Sequence, residues 1–157
     1  MNQLATVIYI RNKENNKTLM LHRTKKKNDF HKDLWLGLGG KCEDTESPED
    51  CIIREVFEES GLTLDINDIR LAGIVTLPKL RDDTDWTCYV FECEKYSGEL
   101  IDCVEGELCW IENEKLFDLN MWEGDKLFFP WVDEKKFFSA KFTYVNQKLV
   151  EHSVQFY

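Results

Sequence analysis

The sequence predicts an α+β domain, a mixed β-sheet with helices packed on it. Segments rich in β-branched and aromatic residues lie on both sides of one strongly signalled helix, at Pro48 to Ser60. At 157 residues the chain fits a single domain over 1–157 and is long enough to bury a core. It carries no internal repeat or low-complexity segment, and only three prolines.

Taken in order, "QLATVIYI" reads as a strand and "KTLMLHR" as its hairpin partner. "TKKKNDFHKD" is polar and basic, the composition of a loop. "LWLGLGGK" is apolar with three glycines, a short strand running into a loop whose backbone something must approach closely. Ser47 and Pro48 start a helix: serine caps, proline suits the first turn, and Glu49 and Asp50 complement the dipole. Gly61 stops it. "IRLAGIVTLP", "DWTCYVFECE" and the shorter "ELCWIE" read as strands, and "EKLFDLNMWEGDKLFFPWVDEK" as helical in pieces. "AKFTYVNQKLVEHSVQF" reads as a hairpin turning at Asn146-Gln147.

The net charge is −10. Long nucleic acid and anionic membranes would repel such a chain, although a divalent cation can bridge it to a small anion. The N-terminal apolar run is short and followed by Arg11, unlike an export signal, and no stretch approaches membrane-spanning length. The expected compartment is therefore the cytoplasm. There the six cysteines would be reduced thiols, and no pair has the spacing of a zinc knuckle.

The helix concentrates acid in an already acidic protein. With Arg54 at zero and about 100° per residue, Glu58, Glu55 and Glu59 fall near 40°, 100° and 140°. Ile52, Val56, Ile53 and Phe57 fall between roughly 160° and 300°, which predicts that they face the sheet from the opposite side. Solvated helix faces are often charged. Like charges three and four residues apart nevertheless destabilise a helix and raise one another's pKa unless a cation intervenes. Oxygen ligands of this kind suit Mg²⁺ or Mn²⁺.

Gly40, five residues, Glu46, seven residues, then Arg54-Glu55-Val56-Phe57-Glu58-Glu59-Ser60-Gly61-Leu62 matches the Nudix box, spanning 40–62, in full. With average composition such a match arises by chance at a given site on the order of 10⁻¹⁰ of the time. Beyond the box, "QLATVIYI", "LMLHR", "WLGLGGK", "DWTCYVF", "LIDCVEGEL", "WEGD" and "FFSAKF" together resemble bacterial 8-oxo-dGTP diphosphatases of the MutX/MutT type. "NMWEGDKLFFP" and "KKFFSAKF" also resemble the animal oxidised-purine nucleoside triphosphatases. The resemblance implies the Nudix fold, an α/β/α sandwich with a mixed central sheet.

It also implies an activity: Mg²⁺-dependent hydrolysis, with Mn²⁺ as a substitute, of an oxidised purine nucleoside triphosphate to the monophosphate and pyrophosphate. Alternatives are another nucleoside triphosphate, a dinucleoside polyphosphate, an RNA 5′ end, or a non-catalytic nucleotide sensor. The intact box argues against the sensor. By resemblance Glu55, Glu58 and Glu59 bind metal together with the Gly40 carbonyl, and Glu105 serves as ligand or base. Arg54 orients a ligand carboxylate and Glu46. The same comparison implies a phosphate contact for Arg23, and Lys41, after the glycine pair, is a candidate for the same role. Trp122 stacks on the base and Asp125 hydrogen-bonds its edge. Gly124 and Leu36 depart from the animal pattern, in which an aspartate and a base-reading asparagine stand, and favour the MutX-like comparison. A monomer or a homodimer is compatible with all of this.

Overall fold

A computed structural model describes residues 2–157. Nine strands form one mixed sheet: β1 (Asn2–Asn12), β2 (Lys17–His22), β3 (Trp35–Leu36), β4 (Leu38–Lys41), β5 (Ile69–Arg81), β6 (Thr84–Cys93), β7 (Glu107–Glu112), β8 (Phe138–Val145) and β9 (Lys148–Phe156). The α-helices are α1 (Pro48–Ser60) and α2 (Glu123–Asp133). The main path runs β3-β2-β1-β6-β5-β8-β9, with β4 paired to β1 and β7 to β2. The pairs β1–β6 and β5–β8 are parallel and the remainder antiparallel.

Alternation along the strands gives each helix its own face of the sheet. Ile8, Ile10, Leu19 and Phe91 pack with Ile52 and Val56 of α1. Their neighbours Tyr9, Met20 and Val90 pack with Phe128, Phe129 and Val132 of α2. The result is the expected α/β/α sandwich. Both ends of α1 follow from sequence: Ser47 Oγ accepts from the Asp50 amide at 3.0 Å while Asp50 accepts from the Ser47 amide at 3.2 Å. Gly61 closes the helix in the left-handed conformation at φ 80°. The β8–β9 hairpin turns at Asn146 and Gln147, both at positive φ, as its right-handed strand twist favours.

Two expectations need correction. The glycine pair is no loop: after a break at Gly37, Leu38–Lys41 resumes as β4, antiparallel to Ala5–Ile8 of β1. The sheet-facing arc of α1 is also displaced. Its buried residues are Cys51, Ile52, Val56, Glu59 and Ser60, which span about 60° to 240° in the same phase, so Glu59 lies near the centre. Phe57 is instead 58% exposed. The carboxylates of Glu55 and Glu59 thus look toward β4 rather than away from the sheet.

The glycines make room for them. A Cβ on Gly40 would lie 2.6 Å from Glu55 Cδ. One on Gly39, whose φ is 152°, would lie 2.0 Å from the Thr6 carbonyl oxygen. Gly39→Ala should therefore destabilise the domain by roughly 2–4 kcal/mol, in the range of other steric insertions into packed backbone, read as a lowered urea midpoint. An unchanged midpoint would show that β4 separates from β1 without loss.

Candidate active site

The carboxylates of α1 have three different surroundings. Glu59, 7% exposed, accepts the Gly39 amide at 2.8 Å. Burial raises its pKa well above the ordinary carboxylate value, and repulsion from Glu105 and Glu55 adds to this against the pull of the Gly39 amide. Glu55 is raised too, first by burial, with Glu58 and Glu105 adding and Arg54 opposing. Glu58 is 57% exposed and accepts from Arg54 Nη1 at 3.2 Å.

Arg54 takes Glu46 as its bidentate partner. Nε and Nη2 reach Glu46 at 2.7 and 2.9 Å, while Nη1 gives single contacts to Glu55 at 3.0 Å and to Glu58. The fork holds the Glu46 carboxyl down at about 2. Nη2 also reaches the Lys41 carbonyl at 3.1 Å and so fixes the end of β4. Among the described residues, no three acidic, histidine or cysteine side chains converge tightly enough to form a closed metal cage. What the fold brings together is the pair Glu55 and Glu59, with Glu105 close enough to repel both. With Glu55 beside Gly40, these crowded, like-charged oxygen donors fit a hard divalent cation.

Glu55, Glu59 and Glu105 line one end of a cavity of about 540 Å³. Arg23 also lines it, yet it is no free cation: Asp29 takes it bidentately at 2.7 and 2.9 Å and Glu105 lies 3.1 Å away. Lys26 contacts Glu105 at 3.3 Å. Lys41 sits at the rim with its Nζ 5.4 Å from the Trp86 ring centroid, a cation–π contact. Glu46 and Glu58 are not among the lining residues.

Leu36, Trp122 and Asp125 line the other end, and Trp86, beside Lys41, also lines the cavity. Trp35 instead stacks on His22, 4.4 Å between centroids. Burial pushes the Asp125 carboxyl up to about 7, with Tyr9 and Cys88 beside it. Trp122 packs at 5.3 Å on Phe30, which Arg81 covers at 5.1 Å, and its Nε1 donates to His31 Nδ1 at 2.9 Å. Phe30, His31, Asp29 and Arg81 were not legible as site residues. The first three stand in a segment that reads as a solvated basic loop, and Arg81 sits near a hairpin tip.

A NUDIX domain profile matches residues 1–132. The chain belongs to the Nudix family. It is 31% identical over 130 residues to an oxidized purine nucleoside triphosphate hydrolase of Danio rerio, covering 82% of each chain. To a dihydroneopterin triphosphate diphosphatase of Haemophilus influenzae it is 29% identical over 136 residues, 86% of this chain and 77% of the other. The fold matches that of a MutT protein from Bacillus halodurans with a TM-score of 0.83, covering 97% of each chain at 23% identity. The chain is thus a Nudix hydrolase of MutT-like fold. No helix among the described residues is long and apolar enough to cross a membrane.

The buried Asp125 gives a signed pH dependence. Its folded pKa lies above the unfolded value, so the native state holds an extra proton between about pH 4 and 7, and its contribution to stability falls as pH rises through that window. Asp125→Asn cannot ionise. The melting temperature of the variant minus that of the wild type should therefore grow from pH 5 to pH 8 in metal-free buffer. A difference constant with pH would show that Asp125 ionises normally.

Proposed function

We propose that this Nudix hydrolase cleaves purine nucleoside triphosphates to the monophosphate and pyrophosphate, with 8-oxo-dGTP as the preferred substrate. One observation carries the reading: a single cavity of about 540 Å³ has acidic, glycine-flanked walls at one end and an aromatic ring with a desolvated carboxyl at the other. Its volume lies within the usual range of small-molecule sites. A triphosphate and a base need opposite environments, and the cavity supplies one at each end.

At the phosphate end, Glu55, Glu59 and Glu105 with the Gly40 carbonyl would hold Mg²⁺ or Mn²⁺, and Glu58 would approach from the solvent side. The ion would neutralise pyrophosphate charge that the acidic walls alone repel. Arg54 holds Glu46, Glu55, Glu58 and the Lys41 carbonyl in one frame, so the carboxylates keep fixed directions. Lys41 and Lys26 supply positive charge near the opening, and Arg23, which pairs with Glu105, would also face the phosphates. Hydrolysis places water on the β-phosphorus, and a glutamate of this cluster takes the proton.

At the base end, Trp122 offers a stacking surface, and burial raises the Asp125 pKa to about 7, so its protonated form, which can donate as well as accept a hydrogen bond, persists well above the ordinary carboxylate range. The Danio rerio relative is named for oxidised purine nucleoside triphosphates, which supports the substrate class. A second reading keeps the bond and changes the base. The Haemophilus influenzae relative is named for dihydroneopterin triphosphate, also a bicyclic triphosphate, and the apolar Leu36 in the wall fits more than one such ring.

A panel of 8-oxo-dGTP, dGTP, 2-hydroxy-dATP and dihydroneopterin triphosphate, with products identified, separates these readings. The expected kcat/KM for 8-oxo-dGTP exceeds that for dGTP by at least about tenfold, the discrimination of one well-placed hydrogen bond. Equal values would remove the preference and leave the hydrolase. Glu59→Gln should lower kcat by at least ~10²-fold, and EDTA should abolish turnover, with restoration by Mg²⁺. Full activity in chelator would end the metal assignment.

A further inference from the structure

We propose that His31 is a positioning residue for the base: it fixes the Trp122 indole and ties it to the phosphate end of the cavity. The inference rests on Trp122 being the base platform. Trp122 stands at the N-terminal boundary of α2 and makes no capping bond with its side chain. Its one polar atom, Nε1, is a donor only, and it points at His31 Nδ1 from 2.9 Å. That contact sets the imidazole tautomer, since Nδ1 can accept only when the ring is neutral with its proton on Nε2. The groups facing the ring keep it so. Burial lowers the His31 pKa to about 4, with Arg23 and Arg81 adding to this and Asp29 and Glu105 opposing.

His31 is itself anchored. Its backbone amide donates to Asp29 Oδ1 at 3.0 Å, and Asp29 takes the Arg23 guanidinium in a bidentate pair. Burial works against the Asp29 charge, yet the His31 amide and Arg23 together hold its carboxyl below the ordinary range. Arg23 continues to Glu105 at 3.1 Å. A chain of bonded groups therefore runs from Glu105 through Arg23, Asp29 and His31 to the indole. It sets the distance between the two ends of the cavity without either His31 or Asp29 having to touch phosphorus. Phe30, between them in sequence, packs on the indole at 5.3 Å, and Tyr144 meets it in a T-shaped contact at 5.2 Å.

The test uses His31→Ala, His31→Asn, Trp122→Ala and the double variant His31→Ala/Trp122→Ala. The substrate is whichever of 8-oxo-dGTP, dGTP and 2-hydroxy-dATP is turned over best. His31→Ala should raise KM about tenfold while changing kcat less than about threefold, as expected for one lost hydrogen bond that positions but does not react. His31→Asn, whose amide oxygen can take the indole proton, should recover most of the loss. The double variant should be no worse than Trp122→Ala alone, since both changes remove one interaction. Trp122 emission, taken as the difference from a Trp122→Phe protein, should shift to the red in His31→Ala and return in His31→Asn. Unchanged KM in His31→Ala, no recovery in His31→Asn, or additive losses would each overturn the tether. If Trp122→Ala raises KM and His31→Ala does not, the tether alone fails; if neither does, the base-platform reading fails with it.

Discussion

The Gly39 amide bonded to the Glu59 carboxylate is the contact on which the site depends. It forces a carboxylate into the interface between helix and sheet, where an unpaired charge would be untenable. It also requires a strand that can expose its backbone to a side chain. β4 does this by having glycine at both 39 and 40, so that β1 lies close on one side and Glu55 on the other. Everything else in the acidic cluster is arranged around this fixed point. Arg54 spreads its donors over Glu46, Glu55 and Glu58, and Glu105 closes from the loop before β7.

Electrostatics and packing are therefore not separable here. The buried arc of α1 contains Ile52 and Val56, which hold the helix on the sheet, and beside them Glu59, which that hold desolvates. Raised carboxyl pKa values follow from the same burial that gives the domain its core. Asp125 repeats the pattern on the opposite face, where α2 carries it into the wall of the cavity beside Tyr9 and Cys88. One helix from each face thus contributes a perturbed carboxyl to a common space.

What could be read from the sequence had local causes. Ser47, Pro48 and Gly61 bound α1 because caps act within one turn, and Asn146-Gln147 fixes a hairpin because both residues accept positive φ. The box residues were legible because their spacing is rigid. What escaped was decided by tertiary contact. Gly39 and Gly40 have poor strand propensity, and only pairing with Ala5–Ile8 makes them a strand. Glu59 was assigned to the polar face because periodicity assumes that charge seeks water, whereas a backbone amide supplies its partner inside. Asp29 and His31 looked solvated within a lysine-rich loop, and nothing local signals that one would clamp Arg23 and the other Trp122.

The cavity draws its walls from β1, β4, α1, β5, β6, α2 and β8, so its parts are separated by most of the chain. Two of its strand pairings, β1–β6 and β5–β8, are parallel and join residues far apart in sequence. Such contacts close large loops and form slowly relative to helices and hairpins. A nascent chain that has made α1 therefore has the acidic helix without the platform of α2 or the Phe142 and Tyr144 wall of β8. The walls contributed by Trp122, Asp125, Phe142 and Tyr144 arrive only with the last third of the polypeptide, and no early folding species has the complete cavity.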